Sequence, residues 1–265
     1  MFDPKAEKYA IAFIDFLGTK EFINSDSDNQ FLKAFRIMSD IALTGCKRLL
    51  AEDGVSVKMF SDNIVLCKKV NYADVDPDNA HAKALISVIA ATSYIQYYAL
   101  DKLGLLIRGG FGVGDLYIDE LMVWWKALVS TYTIESTLSI YPRVVFDPEA
   151  IETIYGKAII ANKWMAKDED GFYYIDFLQI HWASFSKAAR EKAYNKFNYE
   201  NQKQIDNFKG KYSIISKRYW HQSYLDKKNI QFIVADVYST SPTDIKIATP
   251  PTPRTVDPTA TTPDV

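Results

Sequence analysis

The stretch Tyr9-Ala-Ile-Ala-Phe-Ile-Asp-Phe-Leu-Gly-Thr19 constrains this chain more than any other: it is an apolar run that ends in a carboxylate and a small-residue turn. A short continuous apolar run closed by a turn reads as a strand buried on both faces, and residues 8–16 are predicted to form it. The next informative stretch, Val55 to Leu66, predicts a hairpin with strands at 55–60 and 63–69 joined at Ser61-Asp62-Asn63. Asp and Asn suit such a turn because they tolerate positive φ and hydrogen-bond their own backbone. Paired strands lie about 5 Å apart. If these strands pair, Asp15 and Asp62 can hold the same divalent cations, which is the apparatus of phosphoryl or nucleotidyl chemistry.

The remaining elements follow from periodicity. Residues 28–51 read as a helix, with Phe31, Leu32, Phe35, Met38 and Ile41 at helical spacing. Residues 78–103 read as a second helix stopped at Leu103-Gly104. A glycine-rich strand from Leu105 to Gly114, a strand at 115–123 and a helix at 126–139 come next. Glycines inside a strand mark close approach of another backbone or a ligand. A short strand at 143–147 follows, and Pro148 opens a helix. The order β-α-β-β-α-β-β-α-β predicts an α+β fold with a ferredoxin-like core. The core is expected over 1–160. Residues 161–239 form a C-terminal helical and strand extension packed on it, with a strand near Phe172–Leu178 and a polar helical segment at 183–209. The Pro- and Thr-rich residues 240–265 cannot bury enough surface to fold and are expected to be disordered.

Composition excludes several classes. The chain of 265 residues is 48% hydrophobic and 24% charged, enough to bury a core. Its net charge of −2 gives no basic surface for nucleic acid. Cys46 and Cys67 show no zinc spacing with His81, His181 or His221, and read as ordinary thiols in a reducing compartment. Met1-Phe-Asp-Pro-Lys5 is unlike a signal peptide. The run from Ala84 to Leu100 is broken by Ser87, Ser93 and Gln96, so no membrane span is expected and the protein is expected to be soluble and cytoplasmic.

Four segments in register give a resemblance. Phe13-Ile-Asp-Phe-Leu-Gly-Thr19, Lys58-Met-Phe-Ser-Asp-Asn-Ile-Val65, Ile107-Arg-Gly-Gly-Phe-Gly-Val-Gly114 and Tyr132-Thr-Ile-Glu135 with Tyr141-Pro-Arg-Val-Val145 resemble the catalytic domain of class III nucleotide cyclases. They are most similar to the pyrimidine cyclases of the Pycsar antiphage systems. The resemblance implies that Asp15 and Asp62 bind two Mn²⁺ or Mg²⁺ ions, with the Phe16 carbonyl as a further ligand. It implies that Gly18 and Thr19 hold the triphosphate through a turn. It also implies a head-to-tail homodimer with active sites at the interface, a pyrimidine nucleoside triphosphate as substrate, and a separate effector activated by the product.

The sequence departs from the purine cyclases of that family. Their Asn and Arg on the helix after the fifth strand fall at Val129 and Thr133, and Met122 stands near a base-selecting position. A thioether is a poor acceptor for an adenine amino group. Lys58 occupies the other base-selecting position. This pattern is expected of a uridylate cyclase making 3′,5′-cyclic UMP, of a cytidylate cyclase, or of a dead nucleotide- or partner-binding module.

Each candidate has a plainer reading. Asp15 could cap a helix and Asp62 serve a turn. Lys58, on a face shared with Asp62 by even spacing, could reach a base or be a solvated lysine. Arg108 reads as base or phosphate recognition or as an ion pair with Glu135 or Asp115. Tyr132 could touch the sugar or pack in the core. Arg143 reads as structural or as a triphosphate contact across a dimer, and Lys126 as a phosphate ligand or a surface lysine. Trp124 and Trp125 read as core or dimer interface. A Lys58 or Arg108 donor facing the base would favour uracil, whose position 4 is an acceptor, over cytosine, whose amino group there is a donor.

Overall fold

The computed structural model describes residues 5–19, 29, 32–37, 40, 55–73, 76–152 and 163–239. Strand β1 (Glu7–Leu17) is the central element, paired antiparallel with β3 (Asn63–Lys69) on one side and β4 (Leu106–Ile118) on the other. Its alternation serves two layers. Ala10, Ala12, Ile14 and Phe16 enter the large core, while Ile11 and Phe13 enter a smaller cluster on the opposite face. β2 (Ser56–Phe60) pairs with β3 as the expected hairpin, with Phe60 opposite Asn63. Ser61, rather than Asp62 or Asn63, carries the positive φ of that turn, at 54°.

The sheet order is β2-β3-β1-β4-β6-β8-β7. Its first four strands have the order and antiparallel sense of a ferredoxin-like core, as the sequence predicts. β6 (Val144–Phe146) joins parallel to β4. β8 (Tyr173–Ile175) and β7 (Met165–Lys167) then carry the same sheet into the C-terminal extension. The protein is therefore mixed α+β.

Helix α1 (Pro77–Tyr98) covers the large-core face with Ala84, Val88, Ala91 and Ile95, all fully or nearly fully buried. It runs on as a π-helical turn, Ala99–Leu103, and stops at Gly104 in the left-handed region with φ 63°. Helix α2 (Lys126–Thr137) lies on the other face, on β4. A Cβ at Gly110 would stand 2.1 Å from the Thr131 carbonyl oxygen, and one at Gly109 would stand 2.4 Å from that of Phe13. The glycine-rich run is thus an approach of backbone to backbone.

Several boundaries differ from expectation. The two strands expected at 105–114 and 115–123 are one strand, β4, because β1 pairs with it without interruption from Leu106 to Leu116. The chain reverses only after Asp119, whose carboxylate accepts the backbone N–H groups of Leu121 and Met122, and β5 (Val123–Trp124) pairs back. The strand expected to reach Leu178 ends at Ile175. There Asp176 caps α4 (Phe177–Trp182), accepting from the Gln179 N–H at 3.3 Å. Between β6 and β7, Pro148 opens α3 (Pro148–Glu152). α5 (Lys187–Asn207) matches the predicted polar helix. α6 (Tyr212–Ser239), of 28 residues, is additional and packs antiparallel-fashion through Asn201 and Tyr194 contacts to Gln222 and Asp226. Of the helix expected at 28–51, residues 32–37 are helical. Asp40 is helical too, whereas Asn29, with φ 55°, is not. The other residues of that expected helix, among them Cys46, the segment 153–162 that contains the expected boundary at 160, and the tail 240–265 lie outside the described residues. No helix among the described residues is long and apolar enough to cross a membrane.

Candidate active site

β1 delivers Asp15 at its C-terminal end, and the β2–β3 hairpin delivers Asp62 beside it. The register places Asp15 opposite Asn63, one residue beyond Asp62. The Phe16 N–H also donates to the Asp62 carbonyl at 3.3 Å, tying the hairpin tip to the strand end. Gly18 follows with φ 88°, a conformation that glycine adopts without strain. It turns the chain so that Thr19, 3% exposed, points back. The Thr19 hydroxyl donates to Asp62 Oδ2 at 2.7 Å and lies 3.4 Å from the Phe16 carbonyl oxygen. Asp62, Thr19 and the Phe16 carbonyl are thus neighbours, with the Asp15 carboxylate on the adjoining strand position.

The two carboxylates sit in unlike surroundings. Burial pushes Asp15 above the ordinary carboxylate range; the Arg108 hydrogen bond works against this, and the nearby Asp62 charge adds to it. For Asp62 burial also acts upward, but hydrogen bonds from Thr19 and Ser61 outweigh it and hold the group below the ordinary range. Each therefore senses the other or the same turn. The oxygens available are hard donors, two carboxylates and a carbonyl, of the kind Mg²⁺ and Mn²⁺ prefer. Among the described residues no three carboxylate, imidazole or thiol side chains converge on one cation position.

Arg108 stands opposite Asp15 in the β1–β4 ladder and joins two carboxylates. Its Nε donates to Asp15 Oδ2 at 3.1 Å, and its Nη2 lies 2.7 Å from Glu135 Oε1. Glu135, on α2, is nearly fully buried, and burial raises its pKa, with Arg108 opposing. The expected Glu135 ion pair is present; Asp115 pairs with Lys8 instead.

The other candidates lie further along the same face or elsewhere. Lys58 donates from Nζ to the Glu120 carbonyl at 2.7 Å, across to the β4–β5 turn. The ladder ends at Phe60 and Asn63, so strand alternation does not extend to Asp62 and even spacing does not fix a shared face. Tyr132 is 54% exposed and packs edge-on against Phe13 at 5.5 Å between centroids, and Phe60 also meets Phe13, at 6.1 Å. Trp124 and Trp125 are exposed, not core, as are Leu121, Met122 and Val129. The Thr133 hydroxyl donates to the Val129 carbonyl of its own helix at 2.8 Å.

Arg143 is structural. It is 1% exposed, ion-paired to Asp168 and Asp170, and bracketed by the Tyr141, Tyr174 and Trp220 rings. Its acidic partners lie in the β7–β8 turn, about 25 residues along the chain by separation, and no local signal could have named them. Lys217 of α6, absent from the sequence reading, places its charge within electrostatic reach of Asp15, Glu135 and Arg108.

No family model and no curated protein matches the chain. Among solved structures it is similar to the adenylyl cyclase CyaB from P. aeruginosa, 12% identical, over 66% of this chain and 96% of that one, with a TM-score of 0.48. It is also similar to the monomeric guanylyl cyclase domain of the RhoGC fusion protein from the aquatic fungus Blastocladiella emersonii, 14% identical over 65% and 98%, TM-score 0.46. A third likeness is to the guanylyl cyclase Cya2, 14% identical over 66% and 93%, TM-score 0.40. These likenesses are distant ones, and the α+β class rests on the strand order and register themselves.

Proposed function

We propose that this chain is a nucleotidyl cyclase that converts UTP to 3′,5′-cyclic UMP and pyrophosphate. The observation that carries this reading is the meeting of Asp15, the Phe16 carbonyl, Thr19 and Asp62 at the end of β1. Asp15, Asp62 and the Phe16 carbonyl would hold two Mn²⁺ or Mg²⁺ ions. Such a pair, when bound, acidifies an attacking hydroxyl and neutralises a leaving phosphate.

The chain's own residues do the rest. Gly18 and Thr19 turn backbone amides toward the triphosphate. Arg108, held between Asp15 and Glu135, presents a guanidinium to it. The ribose 3′-oxygen forms a bond to the α-phosphorus, the bond from that phosphorus to the β-phosphate oxygen breaks, and the 3′-proton leaves to solvent. With Arg108 engaged by the two carboxylates and the triphosphate, Lys58 is the donor assigned to position 4 of the base, which favours uracil over cytosine.

Phe60, Trp124, Trp125 and Tyr132 make the face around this site exposed and apolar. That supports a homodimer closing over it, since large exposed apolar patches mark interaction surfaces. The product would act as a messenger on a separate effector in antiphage defence, and the enzyme would work in the cytoplasm. Incubation with each of the four ribonucleoside triphosphates and Mn²⁺, with products identified by mass, tests the reading. Cyclic UMP is expected to exceed cyclic CMP. Faster turnover of CTP would make the chain a cytidylate cyclase, and absence of any cyclic product would reduce it to a binding module.

A further inference from the structure

The C-terminal hairpin of α5 and α6 does more than cover an edge. A cavity of about 230 Å³ opens between the turn after β1 and this hairpin, lined by Leu17, Gly18, Leu106, Phe208, Lys217 and Arg218, among others. Gly18 belongs to the turn assigned above to the triphosphate, so the cavity adjoins that site. Two cations of α6 face it and they differ. Arg218 is 8% exposed and its Nη2 donates to the Gly104 carbonyl at 3.1 Å, so it fastens α6 to the end of the π-helical turn. Lys217 is half-buried, and among the described residues its ammonium has no hydrogen-bonded or ion-paired partner.

A half-buried cation without a partner is costly unless something pairs with it. Burial pushes its pKa down and Arg108 does likewise, while Asp15 and Glu135 pull it back up. These carboxylates attract Lys217 from beyond contact distance and are themselves taken up by Arg108. What Lys217 lacks is an anion within reach at the Gly18 turn. A lysine carries its charge on a flexible stem and suits a polyphosphate that arrives and leaves.

We propose that Lys217 binds the polyphosphate of the substrate in cis, making α6 part of the active site. The inference rests on the reading of the Gly18 turn given above.

Inorganic tripolyphosphate with Mn²⁺ is the probe. In the wild-type chain, lysine acetylation followed by mass spectrometry is expected to show at least tenfold protection of Lys217 on adding the probe. Lys209, exposed on the same hairpin, should keep reacting. By calorimetry Lys217→Met should bind the probe at least tenfold more weakly with a melting temperature no lower than that of the wild type, and Lys217→Arg within about threefold of wild type. A purely structural lysine would lower the melting temperature of Lys217→Met and leave probe affinity alone. Unprotected Lys217, or equal affinity in Lys217→Met, overturns the inference even if UTP is cyclised. Protection without cyclisation of any triphosphate keeps the inference and removes the cyclase reading.

Discussion

Arg108 ties β1 and α2 to β4 through two carboxylates beside the proposed site. Its side chain is about a quarter exposed, whereas that of its partner Glu135 is 4% exposed. Removing the guanidinium would leave a buried carboxylate unpaired, which costs about 3 kcal/mol, since breaking a buried pair is far worse than never building it. Arg108→Met is therefore expected to lower stability by about that amount in urea unfolding, and Glu135→Gln in the same chain to restore most of it. Equal stabilities of Arg108→Met and wild type would mean that Glu135 does not need its partner. The pair was legible as one of two options for Arg108. The link to Asp15 was not, because it depends on the β1–β4 register, which no local pattern sets.

At the scale of elements, the contact between α2 and β4 is the most exacting. Gly110 meets the Thr131 carbonyl so closely that any Cβ must displace the helix, and the obstacle is backbone, which has no rotamer to yield. Gly110→Ala is expected to destabilise by about 3 kcal/mol, whereas Gly112→Ala, whose Cβ would find its neighbours at 3.5 Å, should cost much less. Comparable losses in the two variants, read by thermal unfolding, would refute this packing. Elements whose signal is local were readable: the continuous apolar run of β1, the hairpin turn, the Gly104 stop. The length of β4 was misread because its glycines and Asp115 resemble a turn in sequence but are all held in the ladder with β1, with β6 pairing Gly109 and Gly110 on the other side. α6 escaped because its buried polar residues, Arg218, His221 and Lys228, break the apolar stripe, and their burial is settled only by distant partners. The site followed the same division. Asp15, Thr19 and Asp62 announced themselves by motif, and Lys217 had no motif at all.

The whole molecule is built to be folded at neutral pH. His221 is 1% exposed, neither ring nitrogen has a hydrogen-bond partner among the described residues, and burial depresses its pKa to about 3. Burial likewise lowers His181 to about 4, against a bond to the Ser93 carbonyl. Both histidines are neutral in the fold and protonate more readily when unfolded. Their contribution is complete above the ordinary value of 6.5 and is lost as pH falls toward 4 and 3. Each should remove about 2 kcal/mol between pH 6.5 and 5. Asp15 and Glu135, raised by burial, act in the opposite direction at lower pH. Urea midpoints should fall over this range, and His221→Leu should fall less steeply; an equal slope would place the proton elsewhere.

The central claim is that Asp15 and Asp62 share cations. Electron paramagnetic resonance of Mn²⁺ bound with α,β-methylene-UTP, which cannot be cyclised, tests it most directly. Two magnetically coupled ions per chain are predicted for the wild type, with the coupling lost in both Asp15→Asn and Asp62→Asn. A wild-type spectrum of isolated ions, or coupling that survives in either variant, would contradict it.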